Sequence, residues 1–232
     1  MQTNSEAKLL KMGNNRRWLR ISGIFGLLGG MILFAGDMLF YFNEESTDLV
    51  RNMSQASDFR IKASAVSALL ASWCYVLGLP HLNFAFSPAQ PAIRKGIVLG
   101  FGSIFIAYGV IHGAFVAIAT SAKLAMDHQL DLEESIVLAR QANDVIRAFV
   151  YPIFGVVSLF FIAQVWKRRT LYPRWILLVY PLTTLVLFEL VISKLLSGAV
   201  WTIVMGGHFN LILVLFFAVS TIVLWNEKPA RL

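Results

Sequence analysis

The sequence is short of charged residues and of cysteine. Asp, Glu, Lys and Arg make up 14% of its 232 residues, whereas soluble globular domains carry about a quarter. This deficit favours a membrane protein over a soluble domain. Cys74 is the only cysteine, which excludes a disulfide within the chain.

What the chain has instead is six long apolar runs, in a composition that is 57% hydrophobic. A helix needs about 20 residues to cross the hydrocarbon of a bilayer, and each run is of about that length. The first run is too long for the apolar core of a signal peptide and has no small-residue cleavage site. The sequence therefore predicts an all-α integral membrane protein, a single bundle of six transmembrane helices over 18–225, with tails at 1–17 and 226–232. The predicted spans are 18–42, 61–86, 96–121, 147–166, 175–196 and 199–225.

The Lys and Arg residues are unevenly divided between the two sides of the predicted bundle. The side that holds both termini carries thirteen Lys and Arg against two acidic residues, and the opposite side carries seven Lys and Arg against nine acidic residues. An excess of Lys and Arg marks the cytoplasmic side of a membrane protein, so both termini are predicted to be cytoplasmic. The net charge of +7 is then a signal of orientation, supported by attraction to anionic lipid headgroups. The lipid bilayer is the expected partner, and nucleic acid is not. The hydrophilic tails and modest loops are typical of a bacterial protein of the cytoplasmic membrane.

Two long loops, 43–60 and 123–146, lie on the outer side of the predicted bundle. In the second loop, Asp131 followed by Glu134 is typical of a helix N-cap, and apolar residues at helical spacing follow. This pattern predicts a short amphipathic helix before the fourth span, either as a surface helix on the rim of the bundle or as a lid over a cavity. In the first loop, Asn52 begins an Asn-Met-Ser sequon for N-glycosylation.

Small residues mark the helix faces that are expected to pack against other helices. Glycine pairs at four-residue spacing occur in the first and third spans, as Gly26–Gly30, Gly96–Gly100 and Gly109–Gly113. In lipid, small side chains let helix backbones approach each other, so these faces are predicted to point inward. Asp37 lies on the same face as the first pair, which directs its carboxylate toward protein rather than lipid.

Four ionisable residues from four different spans are predicted to lie at a similar depth. An ionised group inside a membrane is costly unless it is paired, so such residues are candidates for a functional site. Counted at about 1.5 Å per residue from the middle of each span, the four that fall in the outer half of the bilayer are Asp37, His112, Glu189 and His208. Three tyrosines of the predicted spans are expected to supply orienting hydroxyls: Tyr41, Tyr108 and Tyr151.

This polar pocket leaves three classes of function open. The first is a non-catalytic membrane protein that binds a small or lipid-like ligand, or whose polar layer only fixes helix register. The second is a zinc hydrolase of lipid esters or amides, in which His112 and His208 bind the metal. One of the two acids, Asp37 or Glu189, is then the third ligand, and the other acts as the general base. No HExxH motif fixes the geometry of such a site. A variant of this class has haem bound between the two histidines. The third is a proton-coupled transporter of a small molecule, in which the same side chains bind substrate or relay protons.

Overall fold

The computed structural model describes the backbone of residues 2–227 and the side chains of residues 16–227. The described backbone is helical apart from short connections and contains no β-strand. The basic side chains of the predicted N-terminal tail before residue 16, and the predicted C-terminal tail beyond residue 227, lie outside the described residues. The chain also contains a 3₁₀ helix (Arg174–Leu178) and a π segment (Phe188–Ile192). The α-helices are α1 (Gln2–Tyr41), α2 (Leu49–Gln55), α3 (Asp58–Ala85), α4 (Pro91–Asp127), α5 (Leu132–Trp166), α6 (Pro181–Leu187), α7 (Ser193–Leu195) and α8 (Gly198–Leu224).

Five of the described helices have the length and composition of membrane-spanning segments: α1 from Arg16 onward, α3, α4, α5 and α8. At about 1.5 Å per residue, even the shortest of these apolar segments is longer than the hydrocarbon core of a bilayer. Large apolar side chains such as Leu99, Leu159 and Ile222 are exposed on their outer faces, as expected of helices that face lipid. The chain is thus a helical protein with the character of a multi-pass membrane protein.

The predicted fifth span, 175–196, is divided rather than continuous. The 3₁₀ helix ends at Leu178, and a second helical stretch runs without a break from Pro181 through α6, the π segment and α7 to Leu195. Pro181 begins α6 in the first helical position, where the missing N–H has no partner to lose. The π segment widens one turn of the helix, a distortion that occurs frequently at functional sites. The described chain therefore has five long helices and one divided segment, Arg174–Leu195, in place of the predicted fifth span.

The helices α4 and α5 extend beyond the predicted spans and form a hairpin. Asp131 caps α5, because its carboxylate accepts a hydrogen bond of 2.8 Å from the N–H of Glu134. The predicted amphipathic helix is not a separate element but the first part of α5. Its apolar face packs on the bundle, since Ile136 is fully buried among residues of α1, α2 and α4. The end of the bundle where the chain turns from α4 into α5, and where α2 lies, is called the α2 end below.

The short helix α2 is fastened to the end of α1 by Asn52. The Asn52 side chain is buried, and its amide donates hydrogen bonds to the carbonyl oxygens of Tyr41 (2.8 Å) and Ser46 (3.0 Å). A glycan would replace one of the two N–H groups of this amide and so remove one of the two bonds. The buried, doubly bonded Asn52 side chain thus has a structural role.

Close helix packing occurs at some of the predicted glycines but not at all of them. The helices α1 and α3 approach each other where Gly26 meets Gly78: a Cβ on Gly78 would lie 3.0 Å from the Cα of Gly26. Gly30 likewise lies against the backbone of α8. Gly96 and Gly113, in contrast, have open space around them. The prediction that all three glycine pairs point inward is therefore wrong for Gly96 and for Gly113, each of which is one member of a pair.

The half of the bundle away from the α2 end is filled by stacked aromatic rings. The ring centroids of Tyr75 and Phe105 are 4.7 Å apart, and those of Phe161 and Tyr180 are 4.1 Å apart. This dense packing contrasts with the half near the α2 end, which holds a cavity.

Candidate functional site

Asp37 is held by partners from two other helices. Its Oδ1 lies 3.1 Å from Nδ1 of His112 on α4, and its Oδ2 accepts a hydrogen bond of 2.6 Å from the side-chain amide of Asn210 on α8. All three side chains are buried. Both carboxylate oxygens therefore have donors, which offsets the cost of burying the acid. One side chain of α1 thus connects α1, α4 and α8.

His112 extends this network to a fourth helix. Its Nε2 lies 2.8 Å from Oγ of Ser64 on α3. In the neutral tautomer that carries its proton on Nδ1, facing Asp37, Nε2 accepts the hydroxyl hydrogen of Ser64. The order Ser–His–Asp, through these two ring nitrogens, is that of a serine-hydrolase triad. Ser64 is fully buried, however, and is not part of the wall of the cavity described below, so a substrate carbonyl has no path to its hydroxyl. We therefore interpret the chain of bonds as a network that fixes the relative positions of four helices.

His208 and Glu189 form a second, looser pair. The Nδ1–H of His208 donates to the carbonyl oxygen of Met205 at 2.8 Å, and its ring stacks on Phe188 with 4.7 Å between centroids. Its Nε2 lies 3.7 Å from Oε1 of Glu189, which is too far for a hydrogen bond. This nitrogen is buried and has no hydrogen-bond partner among the described residues. It is covered by other atoms of the protein, so it is not open to a water molecule or a ligand in this conformation.

These residues surround a cavity of about 600 Å³ between α1, α4, α5, α8 and the divided segment. Cavities that hold small molecules commonly have volumes of about 300–1,000 Å³. The seven residues that the sequence singles out all belong to its wall: Asp37, Tyr41, Tyr108, His112, Tyr151, Glu189 and His208. Side chains from distant parts of the sequence thus face one common space.

The cavity is polar near the α2 end and apolar at the opposite end. Its wall on α4 extends from Ile104 to Phe115, which is about 16 Å along the helix axis. Two charged side chains, Arg147 on α5 and Glu189 in the π segment, lie nearer the α2 end. The opposite end is formed by apolar residues, among them Leu33, Ile104, Phe154 and Leu182.

The four ionisable residues form two pairs rather than one compact cluster. Among the side chains of residues 16–227, no three His, Cys, Asp or Glu groups lie close enough together to hold a metal ion. Catalytic zinc sites use three protein ligands. The assignment of Asp37, His112, Glu189 and His208 as zinc ligands stays a prediction, which elemental analysis of the purified protein tests.

Three polar side chains of the network and the cavity wall are absent from the seven residues selected from the sequence: Ser64, Arg147 and Asn210. The Nε–H of Arg147 donates to Oη of Tyr151 at 2.6 Å, and its guanidinium lies 5.5 Å from the centre of the same ring. Arg147 and Tyr151 are four residues apart on one helix face, and this spacing could have indicated the contact from the sequence. Ser64 and His112 are 48 residues apart, and no local pattern indicates that they meet.

Comparison with known proteins identifies a family. No curated protein and no solved structure matches the chain. Residues 12–227 match a family of unknown function, DUF6796, and this range includes every residue of the cavity wall. The chain therefore belongs to the DUF6796 family.

Proposed function

We propose that the protein binds a small or lipid-like ligand in the cavity between its helices. The observation that carries this proposal is the convergence of seven polar and ionisable residues on one space of about 600 Å³. The polar and apolar ends of the cavity match an elongated molecule with a head group and a chain.

A proton-coupled transporter is the second candidate, and one observation favours it. The divided segment Arg174–Leu195 borders the cavity, and discontinuous helices form the substrate sites of many transporters. The Asp37–His112 pair faces the same cavity and contains a histidine, the side chain that most readily exchanges a proton near neutral pH. Ligand binding is common to both candidates and is therefore tested first.

A substitution that fills the cavity tests ligand binding. Leu185 belongs to the cavity wall, whereas Leu187, two residues further along, is exposed on the outer face. The probe is dodecanoic acid with a diazirine on its chain, crosslinked to the protein in lipid nanodiscs and mapped by peptide mass spectrometry. In the wild type we expect labelling of cavity residues such as Ile111 and Met205. We expect Leu185→Trp to abolish this labelling, because the indole occupies the space that the chain of the probe needs.

The matched control is Leu187→Trp, which adds the same indole on the outer face. It should leave the labelling of cavity residues unchanged. The melting temperatures of both variants establish that they are folded. Labelling that is equal in the two variants, or confined to exposed side chains in the wild type, would contradict the proposal.

We further propose six membrane crossings with both termini in the cytoplasm, in the cytoplasmic membrane of a bacterium. The direction of the helices supports an even number of crossings. The helix α5 runs away from the α2 end, whereas α8 begins at that end, where the hydroxyl of Thr202 donates to the carbonyl oxygen of Ser46 at 3.5 Å. The divided segment must therefore carry the chain back across the bundle. The excess of Lys and Arg on the side of the termini supports the orientation.

Labelling of single cysteines checks this orientation. In a Cys74→Ala background, we expect Thr47→Cys to react with a membrane-impermeant maleimide in intact cells. Arg169→Cys, at the opposite end of the bundle, should react only after the membrane is permeabilised. Both positions are exposed, so access to the reagent decides the result. The reverse pattern would place the termini outside the cell.

A further inference from the structure

Arg147 is a cation in the cavity wall whose guanidinium is only partly used by the protein. Among the described side chains, no Asp or Glu lies within 4.0 Å of it. A guanidinium has five N–H donors, and within the described residues only the Nε–H of Arg147 is used, in the bond to Tyr151. That bond and the contact with the Tyr151 ring hold the guanidinium in place. The other four donors are available to an acceptor in the cavity, and arginine is the side chain best suited to carboxylate and phosphate.

The other charged side chains of the cavity wall already face polar side chains of the protein. Both oxygens of Asp37 are bound, by His112 and by Asn210. Glu189 faces His208, with 3.7 Å between its Oε1 and Nε2 of the histidine. Arg147 is therefore the charge in this wall for which a partner from outside the protein is most favourable.

The cavity opens sideways, between α5 and the divided segment. Tyr151 on α5 and Glu189 in the π segment both belong to its wall and are both about half exposed. The exposed neighbours of this opening are apolar side chains, such as Phe149, Ile153 and Leu190. Side chains of this kind face lipid in a membrane protein, so the opening leads to the bilayer.

The water-facing end of the cavity is covered by α2. Leu49 of α2 forms part of the cavity wall, and Met53, one turn further along, is buried against α1 and α4. A ligand that comes from the bilayer through the side opening thus meets Arg147 near the α2 end and apolar side chains at the opposite end.

We infer that the ligand is an anionic amphiphile with a single chain, which enters from the bilayer and binds Arg147 through a carboxylate or phosphate group. This inference rests on the proposed ligand binding and specifies its chemistry. The apolar chain lies along α4 toward Ile104 and Leu33. The cavity has the volume of a small-molecule site, which favours a single-chain molecule over a phospholipid with two chains.

The test compares competitors that share a chain and differ in head group. They displace the diazirine-bearing dodecanoic acid from the cavity in nanodiscs of zwitterionic lipid, and their concentrations are corrected for partition into the bilayer. In the wild type we expect dodecanoate or dodecyl phosphate to compete at concentrations at least about tenfold lower than dodecanol or dodecyltrimethylammonium. Only the two anions can form a charge-assisted hydrogen bond with Arg147, and such a bond accounts for at least this difference in affinity. The stronger of the two anions identifies the head group as a carboxylate or a phosphate.

Arg147→Gln should remove the preference for anions, because glutamine keeps a hydrogen-bond donor but not the charge. The matched control is Arg140→Gln, two turns earlier on α5, where Arg140 pairs with the exposed Glu133 at 3.0 Å. This control should keep the preference of the wild type.

The outcomes separate the inference from the proposed function. Equal competition by all four molecules, or an anion preference that survives Arg147→Gln, would overturn the anionic head group and leave ligand binding intact. A preference for dodecyltrimethylammonium would also overturn it, in favour of Glu189 as the partner of the head group. Labelling that Leu185→Trp does not reduce would refute ligand binding in the cavity itself.

Discussion

Asp37→Ala is expected to lower the free energy of unfolding by about 2–4 kcal/mol. The substitution removes the common acceptor of the His112 Nδ1–H and the Asn210 amide. In a membrane protein, an interhelical hydrogen bond contributes about 0.6–1.7 kcal/mol, and a buried donor left without a partner costs about 1–3 kcal/mol. Asp37→Asn should have an intermediate effect, because its amide offers one oxygen where the carboxylate offers two.

The measurement is equilibrium unfolding in mixed micelles with increasing dodecyl sulfate, followed by circular dichroism. Glu189→Gln is the matched control, because it neutralises an acid of the same cavity wall whose side chain is half exposed. The Glu189 carboxylate lies 3.7 Å from Nε2 of His208, beyond hydrogen-bond distance, so this control should change stability by less than about 1 kcal/mol. A loss of stability as small in Asp37→Ala as in Glu189→Gln would mean that the Asp37 network does not hold the helices together.

Gly78→Ala is expected to lower the free energy of unfolding by about 1–3 kcal/mol, the typical cost of overpacking a tight interface. The new Cβ would lie 3.0 Å from Cα and 3.1 Å from N of Gly26. Both are backbone atoms, so no side chain can turn aside to relieve the contact. The helices α1 and α3 have to move apart along their interface.

The same substitution at Gly113 separates this contact from helix propensity. Gly113 lies within α4, and a Cβ added there would enter open space, so Gly113→Ala should be neutral or stabilising by up to about 1 kcal/mol. The two variants are compared by the same unfolding measurement. Equal stability of Gly78→Ala and Gly113→Ala would show that α1 and α3 do not approach each other as closely as the structure has it.

Hydropathy predicts which segments prefer lipid, but not where a helix ends or changes its geometry. The predicted spans 61–86 and 199–225 agree closely with α3 and α8. The start of α5 at Leu132 was not predictable in this way, because a helix that continues into water carries no excess of apolar residues. The π segment is also invisible to hydropathy, since its residues are as apolar as those of an ordinary span.

For the candidate site, depth along the helices is predictable from the sequence and pairing is not. Every α-helix rises by about 1.5 Å per residue, so a count of residues brings Asp37, His112, Glu189 and His208 to a similar level. Which of them meet depends on the order and rotation of the helices in the bundle. Asp37 contacts His112 while His208 faces Glu189, and tertiary packing alone decides this.

The most direct measurement of ligand binding is to locate a heavy atom in the cavity. Crystals of the protein grown with dodecanoic acid that carries a terminal bromine give the bromine position by anomalous diffraction. We expect the bromine at the apolar end of the cavity, near Ile104 and Leu33, and the carboxylate beside Arg147. Bromine found only on the lipid-facing surface, with no density for the acid inside the bundle, would contradict ligand binding in this cavity.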